Sequence, residues 1–223
     1  MTNPLHETRT SIAVYILLIL AAIVLVPGVG VVVALVIVSV LLAANRKQGI
    51  FRSIGFVRPE SWTRALAAGL VFGLIIQLLA YLVFDPLFEK LTGDRIDLSS
   101  LDGVRGNFRG YVVLMLLGWG FGGFAEEIIF RGYLITRLKM LFGDSRRSLA
   151  VILLITSAPF GLAHMYQGLS GVLSTGLLAM FFGLMFIRSG YNLWYSIFTH
   201  GFVNTLGITL IYLDLDQSLT GPW

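Results

Sequence analysis

The long apolar run from Ser11 to Ala44, which contains no charged residue, constrains the fold more than any other feature of the sequence. The whole chain is 57% hydrophobic and only 13% charged, a composition typical of integral membrane proteins. One straight helix over this run would be about 50 Å long, well beyond a hydrocarbon layer of roughly 30 Å. We therefore expect a break at Val26–Gly30 and two short spans, Ser11–Val26 and Val29–Ala44, with one long tilted helix as the alternative.

Further apolar runs bounded by charge follow along the chain. They predict an all-α fold, a polytopic transmembrane bundle of about seven spans, or six if the first two merge. The chain is predicted to form a single membrane-embedded domain over 1–223, with a motif-bearing catalytic core at 111–213. The later spans are expected at Ala65–Phe84, Tyr111–Leu134, Leu149–Met165, Gly171–Ile187 and Leu193–Leu213.

Basic residues are distributed unevenly between the predicted loops. Alternating the loops places eleven of the sixteen Lys and Arg residues on one side and four on the other, with Arg131 inside a span. The positive-inside tendency then predicts a multi-pass protein of the cell membrane with a cytoplasmic N-terminus and an external C-terminus. The loop Asp85–Asp102 is expected to be external. Since the net charge of +4 lies mostly in loops, no nucleic-acid partner is expected.

The segment FAEEIIFRG places Glu126, Glu127 and Arg131 inside an otherwise apolar span. Burying a charge in the bilayer centre costs about 2.5–3.5 kcal/mol, so such residues usually face the bundle interior and often carry function. Glu127 and Arg131 are four residues apart and share one helix face, which predicts an ion pair. Glu126 points about 100° away from Glu127, so this pairing does not explain its presence.

Two other predicted spans carry polar side chains at a similar depth. His164 lies in the fifth span, and His200 and Asn204 share one face of the seventh. With Glu126 they supply a carboxylate, two imidazoles and an amide, which are the groups needed to activate water and stabilise an oxyanion. Hydrolysis is thus the predicted chemistry. Each group also has a structural interpretation, since intramembrane His and Asn often bond helices together and Glu127–Arg131 is a plausible structural pair.

These residues resemble the motifs of the CAAX protease and bacteriocin-processing family, also called the Abi family. Its EExxxR, FxxxH and HxxxN motifs are similar to Glu126–Arg131, Phe160–His164 and His200–Asn204, in that order. The resemblance implies that Glu126 and His164 activate the water and that His200 and Asn204 form the oxyanion site. It also implies that Glu127, Arg131 and Phe160 support the site, and that no metal is required. Zinc is the second possibility, because two histidines and a carboxylate form a known catalytic zinc set.

The leading hypothesis is therefore an intramembrane glutamate endopeptidase. Its expected partners are the lipid bilayer and a membrane-bound or lipidated peptide or protein substrate. One alternative is a non-catalytic immunity or adaptor protein of the same fold. Another is a proton-coupled transporter, because intramembrane Glu and His also form proton relays, although no inverted repeat is evident in the sequence.

Overall fold

The computed structural model describes residues 8–26, 28–44 and 49–216, and within them the fold is all-α. Pro27, Arg46 and Lys47, on which parts of the predicted break and charge bias rest, lie outside the described residues, as do His6 and the last seven residues. The helices are α1 (Arg9–Leu25), α2 (Gly30–Ala44), α3 (Ile50–Ser53), α4 (Trp62–Thr92), α5 (Phe108–Phe142), α6 (Arg146–Leu162), α7 (Gly168–Arg188) and α8 (Leu193–Tyr212).

Each predicted span overlaps one of these helices, which confirms the helical bundle. The segments Trp62–Thr92, Phe108–Phe142 and Met165–Arg188 are each long and apolar enough to cross a membrane, and α1 and α2 are shorter apolar helices. The expected hairpin is also present, because α1 and α2 are separate helices that pack against each other. Gly28 has a φ of 79°, a left-handed conformation that glycine adopts without strain and that turns the chain between them.

Three predicted boundaries are wrong, and all three corrections concern polar residues. Helix α5 continues beyond Leu134 to Phe142, so Arg137 and Lys139 lie in a helix rather than in a loop. Helix α4 continues to Thr92, so Asp85 lies in a helix rather than at the start of an external loop. Asp85 is buried there because its carboxylate accepts a 2.5 Å hydrogen bond from the Ser174 hydroxyl of α7. Helix α6 ends at Leu162, which places His164 in the following turn rather than within the span.

Helix α5 is wound as a π-helix over Gly118–Glu126 and again over Ile128–Ile135. Such wider turns are rare and occur frequently at functional sites. Glu126 is the last residue of the first π-helical segment, and Glu127 separates the two segments. The 100° step between Glu126 and Glu127, predicted for a regular α-helix, is therefore only an approximation in this region.

Helix α8 lies at the centre of the bundle and packs against α4, α5 and α7. Glycines make these approaches close. A Cβ added at Gly73 of α4 would lie 2.9 Å from the backbone oxygen of Thr199, and one added at Gly123 of α5 would lie 3.3 Å from Cα of Gly201. Small residues of this kind let transmembrane helices approach backbone to backbone. The side chains of α8 are thereby brought next to the glutamates of α5.

The connections of the bundle gather on two opposite faces. On the first, which we call the basic face, Arg9 donates a 2.9 Å hydrogen bond to the Leu141 carbonyl, and the Lys139 ammonium lies 4.1 Å from the Tyr191 ring. Leu193 N–H also donates to the Gly55 carbonyl at 2.9 Å. The start of α1, the segment before α4, the end of α5 and the α7–α8 turn therefore lie together.

The second face, which we call the acidic face, joins the α4–α5 loop, the α6–α7 turn and the end of α8. Asp97 N–H donates to the Gln167 carbonyl at 3.0 Å, and Gly106 N–H donates to the Tyr212 carbonyl at 3.0 Å. Arg105 binds Asp216 at 2.5 Å, and also binds Asp102 and Asp214. These carboxylates, Asp216 above all, raise the pKa of the Arg105 guanidinium. The loop is thereby fixed to the segment after α8.

Candidate active site

The carboxylate of Glu127 joins α5 to α8. Its Oε1 lies 2.9 Å from Nη1 of Arg131 and 2.9 Å from Nδ1 of His200. The predicted ion pair is therefore present, and it also holds an imidazole. The side chain of Glu127 is fully buried and that of Arg131 is 2% exposed, so both charges depend on each other for compensation.

Glu126 flanks the same imidazole on its other nitrogen. Its Oε2 lies 4.0 Å from Nε2 of His200, which is too long for a direct hydrogen bond but short enough for a bridging water. The side chain of Glu126 is 11% exposed, whereas that of Glu127 is completely buried. Of the two glutamates, Glu126 is therefore the more accessible one.

Aromatic rings hold His200 and Arg131 in place. The His200 ring stacks on Phe182, with ring centroids 4.4 Å apart, and lies 6.0 Å from the Phe160 ring. The Arg131 guanidinium lies 5.1 Å from the centroid of Phe160 and 5.2 Å from that of Phe182. Arg131 also donates a 2.7 Å hydrogen bond to the backbone oxygen of Ala179. Phe160, the first residue of the FxxxH motif, therefore packs against both His200 and Arg131.

Phe182 and Ala179 were not predicted from the sequence as part of the site. Both lie in the apolar stretch AMFFGLMF of α7, where several phenylalanines occur within a few residues. No local pattern distinguishes the ring that faces His200 from the one beside it. Only the packing of α7 against α5 and α8 makes that distinction.

The backbone fixes the tautomer of His164. Its Nδ1 lies 2.9 Å from the Phe160 carbonyl oxygen, and a carbonyl can only accept a hydrogen bond. Nδ1 therefore carries the proton, and Nε2 of the neutral ring has a lone pair for a water molecule. The His164 ring stacks on Phe160 with centroids 5.0 Å apart. The turn after α6 thus presents a neutral imidazole ring that is held by two contacts.

Asn204 is held by the first π-helical turn of α5. Its Nδ2 donates a 2.8 Å hydrogen bond to the Gly118 carbonyl. An amide has two N–H donors, so the second can serve another acceptor. Gly122 leaves the space that this side chain occupies, since a Cβ there would lie 2.6 Å from Nδ2 of Asn204 and 3.5 Å from Nε2 of His200.

His164, His200 and Asn204 line one cavity of about 270 Å³, which we call the central cavity. Phe160 and Phe182 form part of its wall, and Asp85 and Ser174 line it as well. Glu126 is not a lining residue and lies beside the cavity, next to His200. The structure thus brings together the predicted imidazoles and amide, with the more accessible glutamate adjacent to them.

Over 8–26, 28–44 and 49–216, no three His, Asp or Glu side chains are grouped so that they could hold a metal ion. The chain has no cysteine that could take part in such a group. That the site works without a metal ion remains a prediction.

The fold and this cluster define a helical membrane protein with a buried carboxylate–imidazole site. Residues 108–206 match the family model of the Rce1-like type II CAAX prenyl endopeptidases. This segment, which contains every predicted site residue, is similar to that family, and the resemblance to CAAX proteases is confirmed. The match covers a little under half of the chain. This similarity supports a membrane protease in general.

No curated protein and no solved structure matched the chain.

Proposed function

We propose that the chain is an intramembrane endopeptidase that hydrolyses a peptide bond of a membrane-associated or prenylated peptide or protein. The observation that carries this proposal is the position of Glu126, partly exposed and 4.0 Å from His200 beside a cavity lined by His164, His200 and Asn204. In this proposal, these residues supply a base, a group that orients water and donors for an oxyanion at one place.

In the proposed reaction, Glu126 takes a proton from a water molecule that the lone pair of His164 Nε2 orients. The oxygen of that water attacks the peptide carbonyl carbon, and the carbonyl oxygen becomes an oxyanion. The second N–H of Asn204 and Nε2–H of His200 donate hydrogen bonds to it. The proton on Glu126 then passes to the amide nitrogen as the C–N bond breaks, which yields a carboxylic acid and an amine.

The role proposed for His200 requires a protonated ring, and the charges of the cluster are compatible with it. With Glu126 and Glu127 both ionised, Arg131 and one protonated imidazole make the four groups neutral overall. Glu127 accepts from Nδ1 of His200, so a protonated His200 has Nε2–H available on the side of Glu126 and the cavity. A neutral cluster avoids the cost of a net charge in the bilayer interior.

Two neighbouring glycines give a matched test. Gly122→Ala places a Cβ against the Asn204 amide, whereas a Cβ at Gly120 meets no atom within 4 Å. If Asn204 stabilises the oxyanion, its displacement should lower cleavage by about tenfold or more. Quantitative peptidomics of membranes should show uncleaved peptides in cells that lack the chain and in cells that carry Gly122→Ala. Cells with Gly120→Ala should resemble the wild type.

Two results would contradict the proposal. If removing the chain leaves every membrane peptide unchanged, the protein is a non-catalytic member of its fold. If Gly120→Ala and Gly122→Ala accumulate the same peptides equally, Asn204 has no special role in the reaction.

The reaction is also proposed to need no metal. The peptide that accumulates in those cells, added to the purified protein in liposomes, should be cleaved at a rate that changes by less than about twofold in excess EDTA or 1,10-phenanthroline. A zinc protease in the same liposomes serves as the positive control for chelation. Loss of cleavage that added zinc restores would favour a zinc site instead.

A further inference from the structure

The central cavity extends toward the acidic face of the bundle. Its lining includes Ile96, Leu98 and Leu101 from the loop between α4 and α5, and Gln167 from the turn before α7. None of the lining residues belongs to the described connections of the basic face. The cavity that holds His164 and His200 is therefore bounded on this side by a loop rather than by the helical core.

A second cavity of about 500 Å³ continues this path, and we call it the vestibule. Tyr81, Asp85, Ile96 and Leu98 line both the vestibule and the central cavity. The outer wall of the vestibule is formed by the α4–α5 loop, and this wall includes the exposed Ser99. The vestibule therefore adjoins the central cavity, and the path through both, which we call the channel, leads from the acidic face toward the histidines.

The opposite direction is closed. Between the glutamates and the basic face, α5 presents a block of fully buried side chains, each no more than 1% exposed: Ile129, Phe130, Tyr133, Leu134 and Ile135. These residues form part of the main apolar core. Interiors packed in this way leave no space for an extended peptide.

The two faces also differ in charge. Among the described residues, the basic face carries only Glu60 and Asp144 as acids, against Arg9, Arg52, Arg58, Arg64, Arg137, Lys139, Arg146, Arg147 and Arg188. The acidic face carries Lys90, Arg95, Arg105 and Arg109, against Glu89, Asp94, Asp97, Asp102, Asp214 and Asp216. Faces rich in Lys and Arg lie in the cytoplasm.

From the channel and this charge difference, we propose that the substrate enters through the vestibule from the non-cytoplasmic side. This inference rests on the proposed function of the central cavity. The substrate class is then a membrane-anchored peptide or protein whose cleaved segment lies at the outer surface. A prenylated C-terminus presented in the cytoplasm would meet the closed face.

The absence of cysteine from the chain permits a direct test. Single cysteines are placed at Ser99 in the vestibule, at Thr175 and separately at Leu178 in the central cavity, at Glu60 on the basic face, and at Leu154, which is 57% exposed in the middle of α6. Intact cells that produce each variant, and inverted membrane vesicles prepared from them, are treated with the impermeant cationic reagent MTSET. Thiols that remain are then counted with a fluorescent maleimide after solubilisation.

Ser99→Cys and at least one of Thr175→Cys and Leu178→Cys should react in intact cells. Glu60→Cys should react only in inverted vesicles, and Leu154→Cys in neither, because it faces lipid. Labelling of the cavity cysteines only in inverted vesicles would overturn the proposal. So would a vestibule cysteine that reacts while both cavity cysteines stay unlabelled, since the channel would then be closed.

The vestibule wall adds a second readout. It carries the carboxylates of Asp85, Glu89, Asp94, Asp97, Asp102 and Asp216, against the guanidinium groups of Arg95 and Arg105. Clefts lined by one sign of charge concentrate the opposite sign. After correction for their rates with a free thiol, MTSET should modify Ser99→Cys about fivefold faster than the anionic reagent MTSES. Equal corrected rates would contradict a vestibule that favours cations.

These measurements require no catalysis, so they separate the entry route from the proposed function. If the cysteines are labelled as expected but the protein cleaves no peptide, the proposed function is wrong and the entry route still holds. If the protein cleaves peptides but the central cavity is labelled only from the cytoplasmic side, the proposed function holds and the entry route is wrong.

Discussion

Replacing Glu126 with glutamine is expected to lower kcat/KM for peptide cleavage by about a thousandfold or more, because an amide cannot take the proton from water. The shape of the side chain is retained, and Glu126 makes no direct hydrogen bond to His200 at its 4.0 Å separation. The protein should therefore fold and insert normally. Cleavage by the purified variant in liposomes and its thermal unfolding in detergent check both parts of the prediction.

The matched control is Glu60→Gln, which makes the same chemical change on the basic face, where the Glu60 side chain is 92% exposed. It should cleave as the wild type does. If Glu126→Gln retains more than about a tenth of the wild-type rate, Glu126 is not the base. An unfolded Glu126→Gln variant would instead assign this carboxylate a structural role.

The second large effect is on stability. Glu127→Ala leaves the Arg131 charge buried without its partner, and such a loss costs about 3–5 kcal/mol. His200 would also lose the acceptor at its Nδ1. The free energy of unfolding, measured by denaturant titration in detergent micelles, should fall by this amount. By contrast, Glu60→Ala breaks an exposed pair with Arg64 and should have little effect.

A double variant distinguishes the loss of a partner from the loss of packing. Glu127→Leu combined with Arg131→Met removes both charges, and it should be more stable than Glu127→Leu alone. If Glu127→Leu and the double variant are equally destabilised, then packing rather than uncompensated charge explains the effect. Neither double nor single variant is expected to retain cleavage, because His200 depends on Glu127 for its orientation.

Much of the fold was predictable because a bilayer imposes a simple rule on sequence. Backbone groups in lipid must bond within their own segment, so apolar runs of sufficient length form helices. Hydropathy predicts the ends of these helices less well than their presence. Asp85 was expected in a loop, yet Ser174 of another helix supplies a hydrogen bond that keeps it buried in α4. His164 was expected within a span, yet α6 ends before it.

The residue types of the candidate site were also predictable, because ionisable groups in an apolar span carry a cost that implies a reason. The spacing of Glu127 and Arg131 predicted their contact correctly. It did not indicate that Glu127 also binds His200, or that Phe182 stacks on that ring. Those contacts join positions far apart in the chain.

By itself, the sequence determined that the chain is a bundle of apolar helices with a few costly polar groups inside, since hydropathy and charge act locally along the chain. The tertiary structure alone decided which of the adjacent glutamates is more accessible, which aromatic rings hold the imidazole, and toward which face the cavity extends. The physical reason is that burial and access depend on the close packing of α4, α5, α7 and α8, which no single segment encodes.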